Sequence, residues 1–242
     1  MILWPQPDSS ILATPQPAHA LISGQLMRVL AERPEPFEPA VTAAAMHDCA
    51  WLPWEANPEF DEATGLPRAF NALSGEEHVS LWQHGVQTAL AAWGLWVGLL
   101  VMRHGSHIYR LGILNNRVAP SPSSMAAMEA YWAWEKATGA ALMAELGTDE
   151  AKVAPLSRQV AMVDAIALGL CWGQAEFDCA GTTLRRTGPF AAALDPWPLA
   201  CDAITVETEA LVLPARFDNA AAMREGLARA TRRRLRFDLR PA

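Results

Sequence analysis

Residues Thr42 to Glu55 read TAAAMHDCAWLPWE: an alanine run ends on a His-Asp doublet and passes into two tryptophans and a proline, with no further charge until Glu55. Alanine-rich sequence favours helix, and the pattern predicts one over about 40–49, placing His47 and Asp48 at its apolar end. A carboxylate in such surroundings is costly unless it is paired, hydrogen-bonded or bound to a cation.

Working outward, most of the chain up to about residue 180 is rich in Ala, Leu and Met, with Pro or Gly clusters between periodic segments. Further helices are expected at about 17–32, 75–92, 94–105, 122–146 and 155–173. The start at Ser74 is marked by a capping box, with Glu77 three residues on. After Cys179 the texture changes to DAITVETEALVLPARF (202–217) and RRRLRFDLRP (232–241), read as two or three strands with a helical stretch over 219–230 between them. The expected fold is mainly α: a helical bundle over residues 1–180, with residues 181–242 a small C-terminal antiparallel β appendage packed on it. The irregular piece from Cys49 to Leu73 is long for a compact helical protein, as lids and binding loops often are.

Composition narrows the partners. With 242 residues and 51% hydrophobic content the chain can bury a large core. A net charge of −7 argues against nucleic acid and acidic membrane surfaces, which need positive charge to displace counterions; a small molecule is the expected partner, and a homodimer is compatible with the sequence. Cys49, Cys171, Cys179 and Cys201 form no CxxC pair and read as reduced thiols. The start lacks the features of an export signal, and the greasiest run, Ala91 to Met102, is too short to cross a bilayer as a helix. A cytoplasmic location is expected.

Helical periodicity puts His19 on a face with Ile22, Leu26 and Leu30, and His78 with Leu81, Trp82, Gly85 and Val86. His104 follows Trp96, Val97, Leu100 and Val101 on the inner stripe, and Asp164 lies with Val160, Ala167, Leu168 and Cys171. His84 is turned about 240° from His78 and should face solvent. One inward histidine is ordinarily a core residue bonded to a carbonyl. Four histidines and two aspartates on inner faces are explained more economically by one or two divalent metal ions, held by His19, His47, Asp48, His78, His104 and Asp164. Iron or manganese comes first; nickel, zinc and magnesium are alternatives.

The order His19, His47-Asp48, His78, His104, Asp164 resembles the H…HD…H…H…D pattern of the HD-domain superfamily, over roughly residues 17–175. That resemblance implies an HD-like helical bundle, a metal-dependent phosphohydrolase activity and, for six ligands, two metal ions; one related branch contains di-iron oxygenases. More closely, HALISGQL (19–26), HDCAWLPWEANPEFDEATGLPRAF (47–70), EHVSLW (77–82) and GLLVMRHGSH (98–107) look like segments of an uncharacterised bacterial family of HD-like proteins. The Trp51, Trp54, Pro58, Gly65, Pro67 and Phe70 scaffold is part of that match. In the cyclic-dinucleotide phosphodiesterase branch a glycine and a lysine follow the doublet; here Ala50 and Trp51 stand there, which argues against cyclic dinucleotides.

The function expected is hydrolysis of a phosphoester or similar small anionic substrate by a metal-bound hydroxide, with Asp48 bridging two metals and His107 as a candidate acid or base. Arg103, Arg110 and Arg117 could meet the anion, since guanidinium suits phosphate; solvated or structurally paired arginines are the competing reading. Glu55 and Asp61 could close over the metals or simply cap turns. The RRRLR run (232–236) reads as the exposed face of a strand. A di-iron oxygenase with the same ligands and a metal-containing binding module without turnover are the alternatives.

Overall fold

The structure, a computed structural model, describes residues 1–115 and 120–242, without the side chains of 112–115. The helices are α1 (Gln16–Met27), α2 (Phe37–Met46), α3 (Leu52–Ala56), α4 (Gly75–Trp93), α5 (Leu95–Asn115), α6 (Pro122–Glu145), α7 (Glu150–Cys171) and α8 (Ala220–Arg229). Seven of them overlap the expected helices; α5 runs well past its expected end near residue 105, and α3 forms inside the piece expected to be irregular. Ser74 caps α4 with the reciprocal Glu77 bond of a capping box, and Asp149 and Asn219 cap α7 and α8 by accepting from backbone N–H groups of the first turn.

The β content overturns the expectation of a mainly α fold with a small C-terminal appendage. The chain is 53% helix and 21% strand. Seven strands form one curled mixed sheet in the order β1 (Ile2–Pro5), β2 (Ile11–Thr14), β8 (Ile204–Leu213), β9 (Thr231–Pro241), β7 (Ala191–Asp195), β6 (Thr183–Gly188), β5 (Glu176–Asp178). Every neighbouring pair is antiparallel except β7 with β9. The N-terminal hairpin thus lies beside the C-terminal strands, with Leu12 opposite Val212. Periodicity could not show this, because all four residues of β2 are buried and so do not alternate, while β7 reads AAALD, a composition that favours helix.

In β9 the period of two is plain: Leu235, Phe237 and Leu239 are buried, and Arg232, Arg234 and Arg236 are exposed. The arginine run is the outer face of a strand, as expected; Arg234 pairs across to Glu207 on β8.

The sheet anchors the helices that matter. On α1, Gln25 donates to and accepts from the Glu207 backbone (2.8 and 3.0 Å), and the Thr208 hydroxyl donates to the Ala18 carbonyl at 2.6 Å. Arg186 of β6 donates to the Gly169 and Leu170 carbonyls at the end of α7 (3.3 and 2.9 Å), the placement a helix C-terminus favours for a cation. Helix α7 is long and apolar enough by composition to cross a membrane, but here it packs between α1, α2 and α5. One core joins helices and sheet, from Ile2 and Leu12 through Leu100 and Val163 to Phe237.

The segment from Cys49 to Leu73 is ordered in short pieces: a 3-10 turn (Cys49–Trp51), α3, a two-residue hairpin of β3 (Phe60–Asp61) and β4 (Leu66–Pro67), and a second 3-10 turn (Phe70–Ala72). It starts against α4, where the Cys49 thiol donates to the Gly85 carbonyl. It then reaches a second small core, in which Leu66 meets Leu211, Leu213, Phe217 and Met223 on the β8–α8 side. Gly65 has φ +72°, with Arg216 and the Phe217 carbonyl close to where a side chain would stand. Asp61 caps a turn through Ala63 N–H and the Thr64 hydroxyl.

Candidate metal centre

Four helices meet at the His-Asp doublet. His47 follows the last turn of α2, and Asp48 takes the bridge conformation (φ −94°, ψ 20°) that turns the chain into the first 3-10 turn. His19 comes from the second turn of α1, five residues beyond the end of β2; His104 comes from α5 and Asp164 from α7. Glycine allows this approach. A Cβ on Gly24 of α1 would lie 2.7 Å from the Ala45 Cβ of α2, and one on Gly105 would lie 2.5 Å from the Trp82 ring.

Asp164 is the hub. Its Oδ1 lies 2.9 Å from His19 Nε2 and 3.0 Å from His47 Nε2, and its Oδ2 lies 3.3 Å from His104 Nε2. Asp48 Oδ2 lies 3.3 Å from His19 Nδ1 and 3.7 Å from His47 Nε2. The rings of His47 and His104 are 4.8 Å apart between centroids, and all three histidines are buried at 1% exposure.

The other ring nitrogens decide what these distances mean. His19 Nδ1 donates to the Gln16 carbonyl at 2.6 Å, and His47 Nδ1 donates to the Ala44 carbonyl at 2.8 Å. A neutral imidazole that donates from Nδ1 carries its lone pair on Nε2. Both lone pairs then face the Asp164 carboxylate, which has no proton to offer. Only a cation between them makes the arrangement stable, either a second proton on each ring or a metal ion. Backbone carbonyls fixing Nδ1–H are the usual support for a ligating Nε2. His47 Nε2, Asp48 Oδ2 and both His104 nitrogens are buried without a hydrogen-bond partner.

Electrostatics tell the same story. Burial alone would depress His47, but Asp48 and Asp164 outweigh it and raise its pKa to about 9. Burial raises Asp48, with His47 and His19 offsetting part of it. Burial also works to raise Asp164, but His47, His104 and His19 hold it well below the usual carboxylate range. Burial keeps His104 low, at about 4, despite Asp164. Without a metal the cluster holds its charge only by protonating an imidazole.

The donors fit a divalent ion. The ligand atoms of His19, His47 and Asp164 all lie within 4.8 Å of one another. Metal–nitrogen and metal–oxygen bonds of about 2.1 Å place adjacent ligand atoms about 3.0–3.4 Å apart, and the Asp164 contacts fall close to that range.

The structure brings together five of the six sequence-expected ligands. His78 stands apart: its ring stacks on Trp82 (5.3 Å, 13°), and its Nδ1 lies 3.1 Å from the Tyr109 hydroxyl. His107, one turn beyond His104, is half-buried with an unpartnered Nε2, and burial lowers its pKa. Arg103 is held by Glu135 at 2.9 Å and by Glu150, and Arg110 lies over the Trp132 ring at 5.7 Å; Arg117 lies outside the described residues. Glu55 accepts from the Gln16 N–H and pairs with the Met1 amino group, each at 3.0 Å. His84 is exposed. Sequence reasoning did not find Tyr109 or the Gln16 and Ala44 carbonyls: a backbone acceptor leaves no residue-type signal, and Tyr109 is 31 positions from its partner.

A family model described as "Protein of unknown function (DUF3891)" matches residues 1–215. The chain belongs to the DUF3891 family. The match covers the N-terminal hairpin and every residue of the cluster and ends before α8 and β9. No curated protein and no solved structure matches the chain.

Proposed function

We propose that the cluster is a metal centre and that the chain is a metal-dependent hydrolase acting on a phosphoester or similar small anionic substrate. The observation that carries this reading is the pair of buried imidazole lone pairs, on His19 and His47, facing one carboxylate. The resemblance to HD-domain phosphohydrolases in ligand order supports it. His19, His47, Asp164 and His104 would hold the metal, and Asp48, whose buried Oδ2 lies 3.7 Å from His47 Nε2 without a hydrogen-bond partner, would be the further donor for a second ion. A divalent ion there would supply a nucleophile at neutral pH and stabilise charge developing on the substrate.

The chain's own part is orientation and proton handling. The Gln16 and Ala44 carbonyls lock two ring tautomers, and the apolar walls of α5 and α7 exclude water and strengthen every charge interaction. His107, whose Nε2 is buried without a partner beside His104, is the candidate acid or base. The test is turnover of a generic aryl phosphodiester by metal-loaded protein, with Asp164→Ala as the control. Hydrolysis that vanishes in the variant supports the reading; hydrolysis of equal rate in both refutes it.

A second reading has its own observation. Two histidines and one carboxylate, the group formed by His19, His47 and Asp164, are a donor set that suits iron and oxygen chemistry. Oxygen uptake by iron-loaded protein with a reductant, without phosphodiester turnover, would favour it.

A further inference from the structure

Beside the cluster lies a group of aromatic N–H donors that the metal centre does not use. Trp51 is 1% exposed, and its indole Nε1 is buried without a partner; the Nε1 of Trp54 is likewise buried and unpartnered. Their rings are 5.6 Å apart, and the Trp51 ring meets His78 edge-on at 5.7 Å. These separations lie within aromatic contact, so the three rings pack as one aromatic group.

The tautomer of His78 follows from Tyr109. The Tyr109 hydroxyl is in a residue only 3% exposed, and among the described residues its one partner is His78 Nδ1. A buried hydroxyl left without an acceptor costs about 1–3 kcal/mol, so the tyrosine donates and Nδ1 accepts. A neutral imidazole that accepts at Nδ1 carries its proton at Nε2. His78 is therefore a fixed N–H donor and offers no lone pair to a metal. Together with the two indoles it gives three neutral N–H donors and no acceptor.

Two of the cations are already committed. Arg103 is bound to Glu135 and Glu150, and Arg68, which lies over the Trp54 ring at 5.8 Å, is bound to Glu59 and Glu77. A ligand completing the group must bring acceptors, and neither Arg103 nor Arg68 is free to meet it. We propose that Trp51, Trp54 and His78 form an oxyanion-binding wall that takes the tetrahedral phosphoryl group of the substrate, with Tyr109 as the residue that positions the His78 proton. This rests on the reading of the neighbouring cluster as a metal centre, which would supply the balancing positive charge.

The test is calorimetric titration of inorganic phosphate into metal-loaded and chelator-treated protein, for the wild type, Trp51→Phe, Trp54→Phe, His78→Gln and Tyr109→Phe, with metal content measured in each. Hydrogen bonds to a charged group are strong enough that losing one indole N–H should weaken phosphate binding about tenfold or more. Metal content should not change in any of the four variants. Tyr109→Phe should also show, by imidazole 15N shifts, loss of the fixed Nε2–H tautomer, a readout that general loosening of the fold would not produce. Undiminished phosphate affinity in both tryptophan variants, absence of phosphate binding in the wild type, or loss of metal in His78→Gln would each overturn the proposal. Wild-type protein that binds phosphate at the wall but no metal would instead sink the metal reading, so the two failures are separable.

Discussion

At the scale of single residues, charge and hydrogen-bond direction set what the cluster can hold. Asp164 touches three imidazoles, whereas Asp48 lies at the edge of the same group. Asp164→Ala should therefore abolish metal binding, since it removes the carboxylate that every described histidine of the cluster faces. Asp48→Ala should lower the number of ions held per chain. His84→Ala, on an exposed position, should stay within about ±0.5 kcal/mol of the wild-type stability and keep full metal content. Equal metal loss in the Asp164 and His84 variants would contradict the assignment of faces. These residues were legible in the sequence because a stripe of inward polar groups on apolar helices has few explanations. The place of His78 was not, because periodicity says that a side chain points inward without saying which inner neighbour it meets.

At the scale of elements, capping and close approach set what each helix contributes. Ser74 accepts from the Glu77 N–H and Glu77 accepts from the Ser74 N–H, while Glu77 also binds Arg68 at the end of the long segment. Ser74→Ala should cost about 1 kcal/mol and lower Tm by about 2–4 °C for a chain of this size, as read by thermal unfolding. Gly24 faces Ala45 where α1 and α2 carry His19 and the doublet. Gly24→Ala should push these helices apart, so that metal affinity falls together with stability; a variant with unchanged metal affinity would show that their spacing is not critical. Helix positions were readable because Ala-rich periodic segments and a capping box are local signals. The strands β2 and β7 were not, since a fully buried four-residue strand has no alternation and alanine is no β signal.

At the scale of the whole molecule, sheet and cluster act as one unit. The strand β2 leads through Pro15 into the helix of His19, Thr208 and Gln25 fasten that helix to β8, and Arg186 of β6 caps the helix of Asp164. The sequence showed the two ends of this arrangement without their junction, because long-range pairing such as Leu12 with Val212 leaves no local trace. A metal held by the cluster would bind the folded chain and not the unfolded one, so its removal should lower Tm; at a free concentration 100 times Kd the lost stabilisation would be about 2.7 kcal/mol. Thermal unfolding before and after chelation measures it, and an unchanged Tm would argue that the cluster is held by protons alone. The most direct test of the central claim is elemental analysis of the protein purified without chelators, set beside His19→Ala, His47→Ala and Asp164→Ala variants shown to be folded. At least one transition-metal ion per wild-type chain is expected, with its loss from all three variants; metal-free wild type under metal-replete conditions, or full occupancy in the Asp164 variant, would contradict a metal centre built on Asp164.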